Sequence, residues 1–183
     1  MIVQKIKLKR KTDGKEVECT VEILDGKSLK KIVELEKNIV ENLPSRDLFQ
    51  DDTDDLILDF LGRRGLAYGV INEDNLIACS ALYFPGEREE NLGIDIGLEE
   101  DLQTVVHLET IMVHPDYRGN GLQKILAEIL IKEAKNRGFK HVLATVSPKN
   151  TVSYTNFEKL GFKKITTKIK FGDKLRDIMY MKI

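Results

Sequence analysis

Tryptophan is absent from this 183-residue chain, and cysteine, histidine and proline are scarce, at two, three and four residues. Two cysteines, Cys19 and Cys79, are too few for a disulfide framework. With three histidines in no ligand spacing they make no zinc site, so no metal is expected. Both cysteines sit in apolar runs and read as buried, reduced thiols. Charge of one sign is also lacking. The net charge of -1 gives no global field that would draw nucleic acid or an anionic membrane surface. No apolar run approaches the roughly 20 residues of a membrane helix. The start, "MIVQKIKLKRKTDG", carries its positive charges after a short apolar stretch and shows no cleavage site, so it reads as a strand rather than a signal peptide. A cytoplasmic location is expected. What is present, 42% hydrophobic and 32% charged residues, suits a soluble protein with a sizeable core.

Two alternating segments, Ile2 to Leu8 and Val17 to Ile23, flank Asp13-Gly14 and predict a hairpin. Leu29, Ile32, Val33, Ile39, Val40 and Leu43 recur at helical spacing until Pro44. Thr53 with Asp54 and Asp55 suits the start of a short helix carrying Leu56, Ile57, Phe60 and Leu61. Leu66 to Ile71 and Leu76 to Phe84 predict a second hairpin. Pro85 to Asp101 is an acidic, glycine-containing excursion, either a solvated loop or a substrate-facing one. Thr104 to Val113 is a β-branched strand. A helix follows with Leu122, Ile125, Leu126, Ile129, Leu130 and Ala134 on one face and Gly138 beyond its end. His141 to Val146 is a strand and "SPKNTVSYTNFEKLGF" a loop with a short helix. Strands Phe162 to Phe171 and Leu175 to Ile183 flank a Gly172-Asp173 turn. No repeat or low-complexity linker divides the chain. The long helix can act as a crossover between parallel strands 104–113 and 141–146, giving a mixed α/β sheet with helices on both faces.

The segment "VHPDYRGNGLQKIL" combines Arg118, Gly119, Asn120 and Gly121 with a helix start. The first N–H groups of a helix have no intrahelical partner, and the dipole adds positive charge there. Two glycines permit close approach, and the arginine adds a forked cation. Such a loop can bind phosphate or pyrophosphate. It can also be a plain strand-to-helix turn. Its spacing fits neither a Walker A loop nor a dinucleotide fingerprint.

This run resembles the acyl-CoA pyrophosphate motif of the GNAT superfamily of N-acetyltransferases, Gln/Arg-x-x-Gly-x-Gly/Ala after a strand ending in Val-x-Pro. Arg118 and Gly121 match, and Gln123 departs from the usual Gly or Ala. "NTVSYTNFEKLGF" resembles the second family signature, Asn-x-x-Ala-x-x-Leu-Tyr-x-x-x-Gly-Phe, with Asn150, Ser153, Phe157, Gly161 and Phe162 at its positions. The element order agrees along nearly the whole chain. The resemblance implies one N-acetyltransferase domain over residues 1–183, with an extra N-terminal hairpin 1–25. It also implies a mostly antiparallel twisted sheet that splays between its two parallel central strands. The donor would be acetyl-CoA. Its arm would add to the strand at Ile111, Met112 and Val113, and its pyrophosphate would lie over Arg118, Gly119, Asn120, Gly121, Leu122, Gln123 and Lys124. Asn150 would contact the arm, and Phe157 would lie near the thioester.

An alkyl amine, of pKa about 10.4, must lose a proton before it can attack a thioester. His107 and Glu109, two apart on one strand, share a face and occupy positions where the resemblance implies a base. Either one can serve, or the two can be a cross-strand pair with a satisfied core histidine. Phe157 stands where the family often has an acidic Tyr. Tyr154, three residues earlier, can replace it or can be a packing residue, so the acid is unassigned. His114 and His141 read as structural. Direct transfer in a ternary complex to a primary amine of a small molecule or peptide is expected. The competing reading is a non-catalytic acyl-CoA-binding sensor. The acidic segment Glu87 to Asp101, with Glu87, Glu89, Glu90, Glu99 and Glu100, suggests a cationic acceptor. An edge strand leaves monomer or homodimer open.

Overall fold

The structure, a computed structural model, describes residues 2–50 and 52–183. Met1, the first residue of the expected hairpin 1–25, lies outside them. Alternating burial pairs β1 (Ile2–Lys9) with β2 (Glu16–Leu24) in an antiparallel hairpin. Helix α1 (Leu29–Glu41) buries Ile32, Leu35, Glu36 and Ile39, a stripe at three- and four-residue spacing. Val33, expected on that stripe, faces solvent, and Leu35 takes the inner position instead. Glu36 can be buried because its carboxylate accepts the Asp52 N–H at 3.0 Å. In α2 (Asp54–Leu58) the Thr53 hydroxyl accepts the Leu56 N–H at 3.3 Å. A π-helical turn over Asp59–Arg63 then ends at Gly62, whose φ of 118° suits glycine alone.

Strands β3 (Gly65–Asn72) and β4 (Asn75–Tyr83) form the second hairpin, and β5 (Val105–Val113) follows the acidic excursion. Helix α3 (Leu122–Asn136) crosses to β6 (His141–Val146). Helix α4 (Thr151–Leu160) and the hairpin of β7 (Lys163–Lys170) and β8 (Lys174–Lys182) complete the chain. All eight strands join one sheet in the order β1-β2-β3-β4-β5-β6-β8-β7. Among the described residues only β5 and β6 are parallel. Leu122, Leu126 and Leu130 of α3 and Phe157 of α4 cover one face with Val106 and Leu108. Ile32, Leu35 and Ile57 cover the other with Cys79, Ala81 and Met112. No helix among the described residues is long and apolar enough to cross a membrane.

Two irregularities shape the middle of the sheet. β5 and β6 pair only at Val105 to His107 against His141 to Leu143, and separate beyond Leu108. On the other side of β5, Glu109 pairs with Ala81 and Met112 with Cys79, so Thr110 and Ile111 together oppose Ser80. This is a β-bulge, with Thr110 held at φ 53°. It resets the alternation. Ile111 and Val113 join Val106 and Leu108 on the α3 face, whereas Met112 turns to the α1 face.

Candidate active site

A cavity of about 490 Å³ opens where β5 and β6 part. Leu108 to Ile111 border it from β5, and Thr145 to Ser147 from the end of β6. Asn150, Ser153 and Phe157 reach it from α4, and Leu48, Phe49 and Phe60 from the α1–α2 side.

His107 and Glu109 both border this space. The His107 ring is 3% exposed and its Nε2 accepts the Leu92 N–H at 3.0 Å. That bond places the ring proton on Nδ1, which faces Glu109 Oε1 at 3.5 Å. The imidazole nitrogens are thus both engaged, and the partly exposed carboxylate is the member of the pair with acceptor capacity to spare. The acidic excursion makes this arrangement. Asn91 is fully buried; its amide donates to the carbonyls of Gly86 and Leu102 and accepts the Gly93 N–H, which presents Leu92 to the histidine.

The same side of the cavity carries polar groups that pattern reading missed. Thr110 donates to Asp52 Oδ2 at 2.6 Å. Tyr83 donates to Glu90 Oε1 at 2.8 Å, beneath the Arg64 guanidinium. Burial, helped by Glu90, pushes the Tyr83 phenol up to about 12, so it stays protonated at neutral pH. Arg64 pairs with Asp59, and Lys170 with Asp95. Arg176 on β8 also borders the cavity. Of the five glutamates expected to face an acceptor, Glu90 alone reaches it. Glu87 accepts from Gln103 instead, and Glu89, Glu99 and Glu100 point to solvent. Their local sequence is uniformly acidic, so only the loop's path separates them.

The glycine loop runs from β5 into α3. Gly121 is the N-cap at φ 72°, and no side chain caps the helix. The first-turn amides, from Leu122 to Lys124, therefore lack intrahelical acceptors. Arg118 lies partly buried and donates from Nε to the Val113 carbonyl at 3.3 Å. The Asn120 side chain is engaged within the fold, which leaves its main chain for the expected contact. Its side chain accepts the Lys9 N–H and donates to the carbonyls of Lys9 and Tyr117, so it fastens the loop to β1. Gln123 also turns away, accepting from Asn156 of α4 at 2.7 Å. Its length therefore does not fill the loop. Lys124 points toward Glu128. Met112 is buried in the α1-side core, which leaves only its backbone on the open strand edge. Asn150, which borders the cavity, uses its side-chain oxygen to cap α4 on the Ser153 N–H.

Tyr154 is not brought to this site. It lies half-buried against the α3-side core and does not border the cavity, which Ser153 and Phe157 do. Phe157 stacks edge-on with Phe162 at 5.1 Å. Both thiols are buried, and burial raises them. Among the described residues no group of three or more His, Cys, Asp or Glu is arranged to hold a metal ion.

The chain resembles solved structures throughout its fold. A ribosomal-protein-S18-alanine N-acetyltransferase from Escherichia coli is 20% identical, with a TM-score of 0.66 over 90% of this chain and 94% of that one. A GNAT-family acetyltransferase from Streptococcus pneumoniae gives 16% and 0.69, over 90% and 99%. PaiA N-acetyltransferase from Thermoplasma acidophilum, in complex with coenzyme A, gives 18% and 0.62, over 89% and 99%. No curated protein sequence matches significantly. The family model described as "Acetyltransferase (GNAT) family" matches residues 29–162, which take in the loop, the bulged strand and α4. The chain belongs to the acetyltransferase (GNAT) family.

Proposed function

We propose that the protein transfers an acetyl group from acetyl-CoA to a primary amine by direct attack within a ternary complex. The observation that carries this reading is the cavity where β5 and β6 part, bordered by the Glu109 carboxylate and by Asn150, on a strand whose continuation leads through the glycine loop to the uncapped N-terminus of α3. The amides at the start of α3, with Gly119, Gly121 and Arg118, suit a pyrophosphate. The unladdered edge of β5 at Ile111 to Val113, and Asn150, suit the amide-bearing arm. Acetyl-CoA supplies an activated thioester carbonyl. Glu109 takes a proton from the acceptor ammonium so that the nitrogen lone pair becomes available. His107, held by the Leu92 N–H, orients the carboxylate. Asp52 and Glu90 add negative charge that favours the approach of a cation. The buried, raised thiols argue against an acyl-cysteine route. The departing thiolate, with a thiol pKa near about 8.5, can be protonated by solvent.

Calorimetry with coenzyme A and an amine-dependent thiol-release assay test this. Micromolar affinity and release of free thiol only when an amine is present are expected. No coenzyme A affinity in folded protein removes the reading. Tight binding without turnover over a broad amine panel favours the sensor alternative.

A further inference from the structure

We propose that the acceptor bears a carboxylate as well as its amine, and that Arg176 binds this carboxylate. The inference rests on the acetyl-transfer reading above and names the substrate class of the same cavity. Arg176 is 4% exposed. Its Nη1 donates to the Leu175 carbonyl at 2.9 Å, and its guanidinium sits 5.9 Å from the centre of the Phe171 ring. Its Nη2 is buried and, among the described residues, meets no hydrogen-bond partner. An unpaired buried cation is costly, and burial duly lowers its pKa. Asp47 lies near enough to oppose that shift, but its carboxylate is engaged by Lys149 Nζ at 3.0 Å. The other cations at the cavity, Arg64 and Lys170, already have carboxylate partners. Arg176 thus brings an unpartnered donor to the border of the space the acceptor enters.

Sheet register puts Arg176 on the working face. His107 pairs with Leu143, and Leu143 with Tyr180. Two-residue steps then carry that face from His107 to Glu109 on β5 and from Tyr180 through Ile178 to Arg176 on β8. A molecule in the cavity therefore has a proton acceptor on one flank and a guanidinium on the other. Asp52, Glu90 and Glu109 border the same space. A dianionic phosphate would meet their repulsion, whereas a single carboxylate beside an ammonium matches both flanks. Phe171 helps form this end. It is held at φ 54° in the β7–β8 turn, an uncommon state for a bulky residue. A free amino acid and a short peptide both carry such a carboxylate, and the test separates them.

In the thiol-release assay each of a panel of amino acids is compared with its carboxamide and with a dipeptide sharing its N-terminal residue. The wild type is expected to favour the free acid over the amide by roughly 10- to 100-fold in kcat/KM. Dipeptides that match the free acids place the source in peptides; dipeptides as poor as the amides place it in free amino acids. Arg176→Gln should bring the acid-to-amide ratio to about one with the KM for acetyl-CoA unchanged. Arg176→Lys should restore part of the preference. Equal use of acids and amides by the wild type overturns the proposal, as does an unchanged ratio in Arg176→Gln. If no amine is acetylated, the acetyl-transfer reading fails separately. Calorimetry of the coenzyme A complex with the same acids and amides then decides: acid-selective binding lost in Arg176→Gln supports the carboxylate site, and its absence overturns it.

Discussion

Leu92 reaches His107 with a main-chain N–H, and that one bond sets apart the parts that His107 and Glu109 can play. With Nε2 occupied, His107 can hold but not accept, which in the proposed reaction leaves Glu109 as base. Glu109→Gln is expected to lower kcat by roughly 10²- to 10⁴-fold with coenzyme A affinity retained, as single-turnover kinetics and calorimetry would show. His107→Gln should cost less. A second histidine sets a pH limit on stability. His141 is buried beside Tyr180, and burial lowers its pKa below 6.5 against the pull of Asp101, with Lys140 and Lys182 adding to the lowering. A group with a depressed folded pKa, neutral when buried, gives stability that is present above the unfolded value and lost as pH falls below it. The melting temperature should therefore drop from about pH 7 to about pH 5.5, and His141→Gln should remove part of that slope. The pairing of His107 with Glu109 was legible because residues two apart on a strand share a face. Arg176 was not, because its face depends on register carried through two strand pairs. Tyr154 misled because proximity along a helix does not say which side the cavity lies on.

Among the elements, the junction of the π-helical turn with β3 leaves the least room. A Cβ at Gly65 would overlap the Leu82 carbonyl oxygen and come within 2.9 Å of Phe60 Cα. Backbone cannot yield there as a side chain can, so Gly65→Ala should destabilise by about 1–3 kcal/mol in urea unfolding. At Gly69 the new methyl would meet only the Leu24 and Leu76 side chains, and a smaller loss is expected. Asn120→Ala should remove the tie between the glycine loop and β1 and lower stability by about 1–2 kcal/mol. Loosening the loop should also weaken coenzyme A binding in calorimetry. Strand and helix order could be read from periodicity, since alternation and three-to-four spacing are local. The bulge could not. Nothing in "HLETIMV" marks Thr110 as the extra residue; the pairing of β4 with both ends of β5 creates it.

Over the whole molecule, three residue pairs between β5 and β6 join five strands to the other three. A ligand lying in that gap would bridge the two parts. Coenzyme A at about 100 times its Kd should add about 2.7 kcal/mol, read as a higher melting temperature and slower amide exchange along β5 and β6. Family membership followed from two short motifs in the right elements, whereas the width of the gap is a property of the assembled sheet. Its short clasp has a mechanical side. If tension were applied between β2 and β8 in a single-molecule experiment, rupture should begin at Val105 to His107 at low force, and an occupied cleft should raise that threshold.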